Sequence, residues 1–181
     1  MLKLLVKGVE LFDQDRSEFI TSEDIEVEFE HSLASLSKWE EKHKVPLMDK
    51  GEKTPEQMLD YFRCMTLTSD VPTDVYSRLS VAQIHALNEY IGASVTATTV
   101  FEGPGKKKTN TEKITAELIY YWMVSFQIPF ECQHWHLDKL LTLIKVCNVK
   151  NNAGKEVSKE DRMAWMKEQN ALRQAQSGTN G

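Results

Sequence analysis

The spacing of apolar residues changes once along this chain, near residue 30, and that change limits the folds open to it. Before it the period is two. Leu2, Leu4 and Val6 alternate with Lys3, Leu5 and Lys7, and Ile25, Val27 and Phe29 alternate with glutamates. Strict alternation places one set of side chains on a single face of a half-buried strand. The polar stretch DQDRSEFITSED between the two reads as turn-like, so a small antiparallel sheet or hairpin of two or three strands is expected. Beyond residue 30 the apolar period is three to four, which is helical. The expected fold class is therefore α+β and mostly α. An N-terminal β element (1–30) packs on a helical domain of five to six helices (31–150), followed by a C-terminal helix and flexible tail (151–181).

Local signals divide the helical part. In HSLASLSKWEEKH, Leu33, Leu36 and Trp39 recur at helical spacing, and Pro46 and Gly51 follow as breakers. Thr54-Pro55-Glu56-Gln57 is a helix start, with a threonine cap, proline at the first helical position and glutamine at the capping-box position. A further start at Thr73 leads to about Tyr90, and Ser80 inside it is a second cap, so this span is one helix or two. TATTVF reads as a strand or an extended connection, and GPGKKKTNT as a loop. Thr111 is expected to cap TEKITAELIYYWMVSFQ. Pro129 restricts Ile128 to extended geometry and makes a corner, after which a second helix is expected from about Glu131 to Val146. NVKNNAGKE reads as a linker, and Ser158 as the cap of a last, mostly polar helix.

The segment FECQHWHLDKLLTLIKVC, with two cysteines and two histidines, invites a metal-site reading. Spacing argues against it. Zinc needs four ligands converging within about 2.0–2.3 Å. On one helix, Cys132 and Cys147 would stand about 22 Å apart at about 1.5 Å rise per residue. His134 and His136 would point to different faces. The cysteines are expected to pack as small apolar groups. No metal or other cofactor is expected. No GxSxG, HExxH, P-loop or dinucleotide fingerprint occurs, and no catalytic residue is assigned. A pairing of Cys64 with His85 has no local sequence to support it.

Charge and apolar run length bound the partners. With 22 basic and 27 acidic residues the net charge is −5, which disfavours nucleic acid as the main partner. The only basic run, Lys106-Lys107-Lys108, reads as a solvated loop. No window is apolar over the ~18 residues a membrane span needs. Three widely spaced cysteines do not make a secreted disulfide framework. Lys7 and Glu10 interrupt the opening apolar run, so no signal peptide is expected. The cytoplasm is the expected compartment.

Three longer stretches carry a family resemblance. They are EHSLASLSKWEEKHKVPL, EKTPEQMLDYFRCMTLTSDVP and TAELIYYWMVSFQIPFECQHWHLDKLLTLIKVCNVKN. They resemble a group of small proteins from the tail-gene clusters of long-tailed bacteriophages, called tail assembly chaperones. Members share the SLSKWE word and the LDY-RCMT word. They read close to WHLNRLLTLIRVCN where this chain has Trp135 to Asn148, with Asp138-Lys139 in place of Asn-Arg. The resemblance covers roughly residues 20–152. It implies a non-catalytic protein of the host cell cytoplasm that binds and solubilises the phage tape measure protein. Tail tube protein and a second copy of the chain are further partners it allows.

A tape measure protein is long and helical, with apolar stripes that lack a partner until the tube forms around it. A chaperone for it needs an apolar groove. Tyr120, Tyr121, Trp122, Met123, Phe126, Phe130 and Trp135 are more large apolar groups than one helical corner usually buries, so this corner is either core or partly groove. Trp165 and Met166 on the last helix are the other candidate contacts, as a mobile arm or as part of the domain's own packing. Two other roles remain open at this point: a virion structural or neck adaptor, and a phage protein that inhibits a host target.

Overall fold

The computed structural model describes residues 1–13, 18–99, 113–151, 163, 166, 167 and 170, without the side chains of 11–13 and 18–20. The architecture is α+β and mostly helical, as the change of period implies. Strand β1 (Leu2–Val6) pairs antiparallel with β4 (Ile25–Phe29), Leu2 opposite Phe29 and Val6 opposite Ile25. Val6, Val27 and Phe29 are buried, while Lys3 pairs with Glu28 on the solvent side.

The turn-like reading of DQDRSEFITSED needs correction. Strand β2 (Glu10–Asp13) pairs with β3 (Glu18–Thr21), so that segment holds a strand of its own. Both ladders share one register: Glu10, four residues after Val6, stands opposite Thr21, four residues before Ile25. Side-chain bonds bridge the interruption. Gly8 N–H donates to Asp24 Oδ1 (2.8 Å) and Val9 N–H to Ser22 Oγ (2.9 Å). Polar side chains hold the crossing here, which is why the segment lacks the alternation of a half-buried strand. The backbones run so close that a Cβ on Gly8 would lie 1.9 Å from the Ser22 carbonyl oxygen.

Helix α1 (Leu33–His43) begins at Ser32, whose side chain and that of Ser35 cap each other's backbone N–H groups. Helix α2 (Pro55–Met65) begins at Thr54 with Gln57 in the reciprocal position, as the sequence indicates. Its end returns to the sheet, where Glu30 N–H donates to Met65 O (2.9 Å) and Leu67 N–H to Glu28 O (2.8 Å). This covers the outer edge of β4. The span from Thr73 is two helices: a 3-10 helix (Thr73–Arg78), then α3 (Val81–Gly92) capped by Ser80 and Gln83. Arg78 donates to Lys7 O and to Ser22 Oγ, both at 3.0 Å, and so fastens the hairpin crossing to the helical part. Gln83 donates to Leu5 O (2.9 Å), occupying an edge carbonyl of β1. Residues 96–99 form no strand.

Three boundaries differ from expectation. Helix α4 is Ala116–Ser125 and its cap is Thr115, not Thr111, which lies outside the described residues. The Thr115 side chain accepts from Leu118 N–H, and Ala116 N–H donates to the Glu40 carboxylate, so a tertiary contact sets the start. The single helix expected from Glu131 to Val146 is instead a 3-10 helix (Phe130–His134) and α5 (Leu137–Asn151). Between them Trp135 is extended, His136 bridges to Ser32, and Leu137 N–H donates to His31 O (2.7 Å). Pairing with the start of α1 therefore interrupts the helix. Helix α5 also runs into the expected linker as far as Asn151. The loop GPGKKKTNT and the Ser158 cap fall outside the described residues.

Two apolar clusters result. The first joins Val6, Val27 and Phe29 to Trp39, Tyr61, Phe62, Met65 and Leu87. The second joins Leu33 and Leu36 to Ile119, Met123, Leu137, Leu140 and Ile144. Helix α1 belongs to both, giving Trp39 to one and its N-terminal leucines to the other.

Candidate functional site

Helix α4 is apolar on more than one side, and only one side is used inside the fold. Ala116, Ile119 and Met123, at i, i+3 and i+7, are fully buried in the second cluster. Tyr121 and Val124 point away from it and are 65% and 60% exposed. The corner that follows is fixed by backbone geometry. Gln127 adopts φ 55°, and Ile128 N–H reaches back to Met123 O (2.8 Å), closing the helix end. Pro129 then leads to Phe130, which is 54% exposed. The Phe130 ring lies 6.3 Å from the ring of Tyr120, whose hydroxyl donates to Gln133 Oε1 (2.7 Å).

The nine residues named from sequence therefore divide, Met123 going to the core. Tyr121 and Phe130 offer uncovered apolar surface, and half-buried Tyr120 stacks between the helix and the corner. Trp122 and Phe126 are half-buried against the second cluster. Trp135 is exposed at its edge but carries Lys139 Nζ 4.3 Å above its ring. Met166 is exposed, and Trp165 lies outside the described residues. Val124 is the exposed apolar residue of this helix that sequence reasoning did not name. It sits three positions after Tyr121 on the same helix face, a signal visible in the sequence.

A second set of groups, also missed, lies where the two clusters meet. His31 and His136 are 7% and 8% exposed, with ring centroids 5.3 Å apart. His31 Nδ1 lies 2.6 Å from Tyr61 Oη. His136 Nε2 donates to Tyr90 O (3.1 Å), and its Nδ1 accepts from Asp138 N–H (3.3 Å). Burial, and then the neighbouring His136, push the His31 pKa down to about 4 against the pull of Glu30 and Asp138. Burial likewise holds the Tyr61 phenol protonated. The only sequence signal is a histidine beside each capping or corner residue.

Two carboxylates are also built into the interior. Asp60 receives Lys42 and His43 Nε2 (2.8 Å), with Arg63 at 3.8 Å. Burial raises its pKa, but the hydrogen bonds from Lys42 and His43 outweigh that and leave it below the usual range. Glu40 accepts two backbone N–H groups, from Leu47 and Ala116. These contacts tie both carboxylates to neighbouring elements.

Cys64 is half-buried on α2, and burial pushes its thiol up, which disfavours the nucleophilic thiolate. His85 is exposed and lies 3.5 Å from Glu89. Cys132 is buried in the second cluster and Cys147 packs against it half-buried, while His134 is exposed. Among the described residues, no three His, Cys, Asp or Glu side chains are grouped to hold a metal ion. No described helix is long and apolar enough to cross a membrane.

The arrangement is thus a rigid apolar helix with one uncovered face, ending in a corner that presents a further ring. Comparison of the chain with protein-family models, with curated proteins and with solved structures finds no match.

Proposed function

We propose that this chain is a non-catalytic binding protein of the tail assembly chaperone type, acting in the host cytoplasm on the phage tape measure protein. The observation that carries the reading is the exposed pair Tyr121 and Val124 on a helix whose opposite face is locked into a core, followed at the corner by exposed Phe130. A short row at helical spacing beside an aromatic corner suits the apolar stripe of a partner helix. Fixing that row in advance lowers the ordering cost of each contact. Contacts of this size favour a weak, repeated hold that polymerising tail tube can displace. The hydrogen-bonded Asp60 and Glu40, and the half-buried Cys64 whose thiol burial pushes up, favour binding over catalysis.

Co-expression with the tape measure protein tests this reading. The soluble fraction of the tape measure protein rises and the two co-purify, while mass spectrometry of purified particles finds no stoichiometric peptides of this chain. Lack of association, with the chain retained in mature particles, contradicts it and favours a structural or adaptor role.

A further inference from the structure

The two apolar clusters are joined by polar contacts as well as by the leucines of α1. Across the joint, Leu137 N–H donates to His31 O, His136 donates to Tyr90 O, and Asp138 accepts from Val95 N–H (2.9 Å). Every buried member of the first cluster lies within residues 1–92. The second cluster takes only Leu33 and Leu36 of its fully buried residues from that part. We propose that the His31–His136 contact is an acid-sensitive joint, whose protonation releases residues 113–151 from α1 while residues 1–92 keep their own core.

The geometry makes the joint sensitive. One imidazole comes from each side, each is almost wholly buried, and 5.3 Å separates the rings. Positive charges at that distance repel strongly where water is excluded. The other groups facing the pair offer limited relief. Tyr61 on α2 and Tyr90 on α3 are held neutral by burial. Glu30, at the end of β4, accepts from Tyr90 Oη (2.7 Å) and pairs with the Met1 amine (2.9 Å). Asp138, at the start of α5, accepts from Val95 and from the Ser94 hydroxyl (3.4 Å). Both carboxylates favour the charged imidazole, yet burial and His136 prevail and His31 stays neutral until about pH 4. Once charged, His31 regains water most directly if the two sides part, which uncovers Leu33, Leu36, Ile119, Met123, Leu137 and Leu140.

Hydrogen exchange of the full chain, stepped from neutral pH to below 4 and corrected for the intrinsic rate, tests the joint. Peptides within 116–125 and 137–151 should lose protection about one pH unit above those within 25–29 and 55–65. His31→Asn keeps a hydrogen-bonding atom near the Nδ1 position and does not titrate, so it should lower the opening pH by about one unit. Simultaneous loss in all four segments, or an unchanged opening pH in the variant, overturns the proposal. Should the variant not fold, proton NMR of the wild-type imidazoles serves instead. His31 must titrate at the pH where α4 and α5 open, and titration with both helices still protected overturns it. No partner is present in either measurement, so the outcome does not depend on the binding role proposed above.

Discussion

Glu40 Oε2 accepts the backbone N–H of Ala116 at 2.7 Å, which ties the middle of α1 to the first residue of α4. Its other oxygen accepts from Leu47 N–H at 2.9 Å. A buried carboxylate thus caps a helix that lacks a first-turn partner for this N–H. Glu40→Ala leaves two N–H groups without their acceptor and should cost about 3–6 kcal/mol in urea unfolding, at about 1.5–3 kcal/mol for each charge-assisted bond. Glu40→Gln keeps one acceptor oxygen and should cost less. Equal stability of both variants and wild type would contradict the role.

Gly8 sits at the interruption between the two hairpin ladders, with no room for a Cβ against the Ser22 carbonyl. Gly8→Ala must therefore move backbone, at a cost of about 1–3 kcal/mol. Backbone NMR should show the pairing of 10–13 with 18–21 lost or shifted while α1 and α2 are retained. An unchanged spectrum would mean the close approach is not real.

Stability should fall with acid in two steps. His31 has a folded pKa of about 4, below its unfolded value of about 6.5. Between those values the unfolded chain binds the extra proton, so the stability contribution is full above about pH 6.5 and is lost as pH falls towards 4. The shift corresponds to about 3 kcal/mol at 1.36 kcal/mol per unit. The lowered pKa of Asp60 acts the same way further down. Its contribution is present above the ordinary carboxylate value of about 3.9 and is lost as pH falls below it. Chemical unfolding at a series of pH values checks both steps, and a flat profile between pH 6.5 and 4 would contradict the first.

Tyr61→Phe removes the hydroxyl 2.6 Å from His31 Nδ1 and leaves a buried imidazole nitrogen without its partner. A loss of about 1–3 kcal/mol is expected. A double-mutant cycle with His31→Leu, which removes the ring nitrogen facing Tyr61, should show coupling because the two side chains meet directly.

Legibility followed the range of the forces involved. Thr54 with Gln57 and Ser80 with Gln83 each form their capping contacts within four residues, and both helix starts were readable. Alternation in β1 and β4 was readable because one face of each is buried. The start of α4 and the break before α5 were not, because Glu40 and His31 set them from more than 70 residues away in sequence. The aromatic residues of the candidate face could be named but not sorted. With apolar groups all round α4, periodicity does not say which of Tyr121 and Trp122 faces solvent. Asp60 and Glu40 look like surface charges in the sequence, and only packing turns them inward.

The central claim is that exposed Tyr121 and Val124 of α4, with Phe130 at the corner that follows, hold a partner helix, and its most direct test is affinity for tape measure protein fragments measured by calorimetry. The double variant Tyr121→Ser with Phe130→Ser changes exposed side chains, so its melting temperature should match wild type while binding weakens at least about tenfold, or about 1.4 kcal/mol. Wild-type affinity in the folded double variant would contradict the claim.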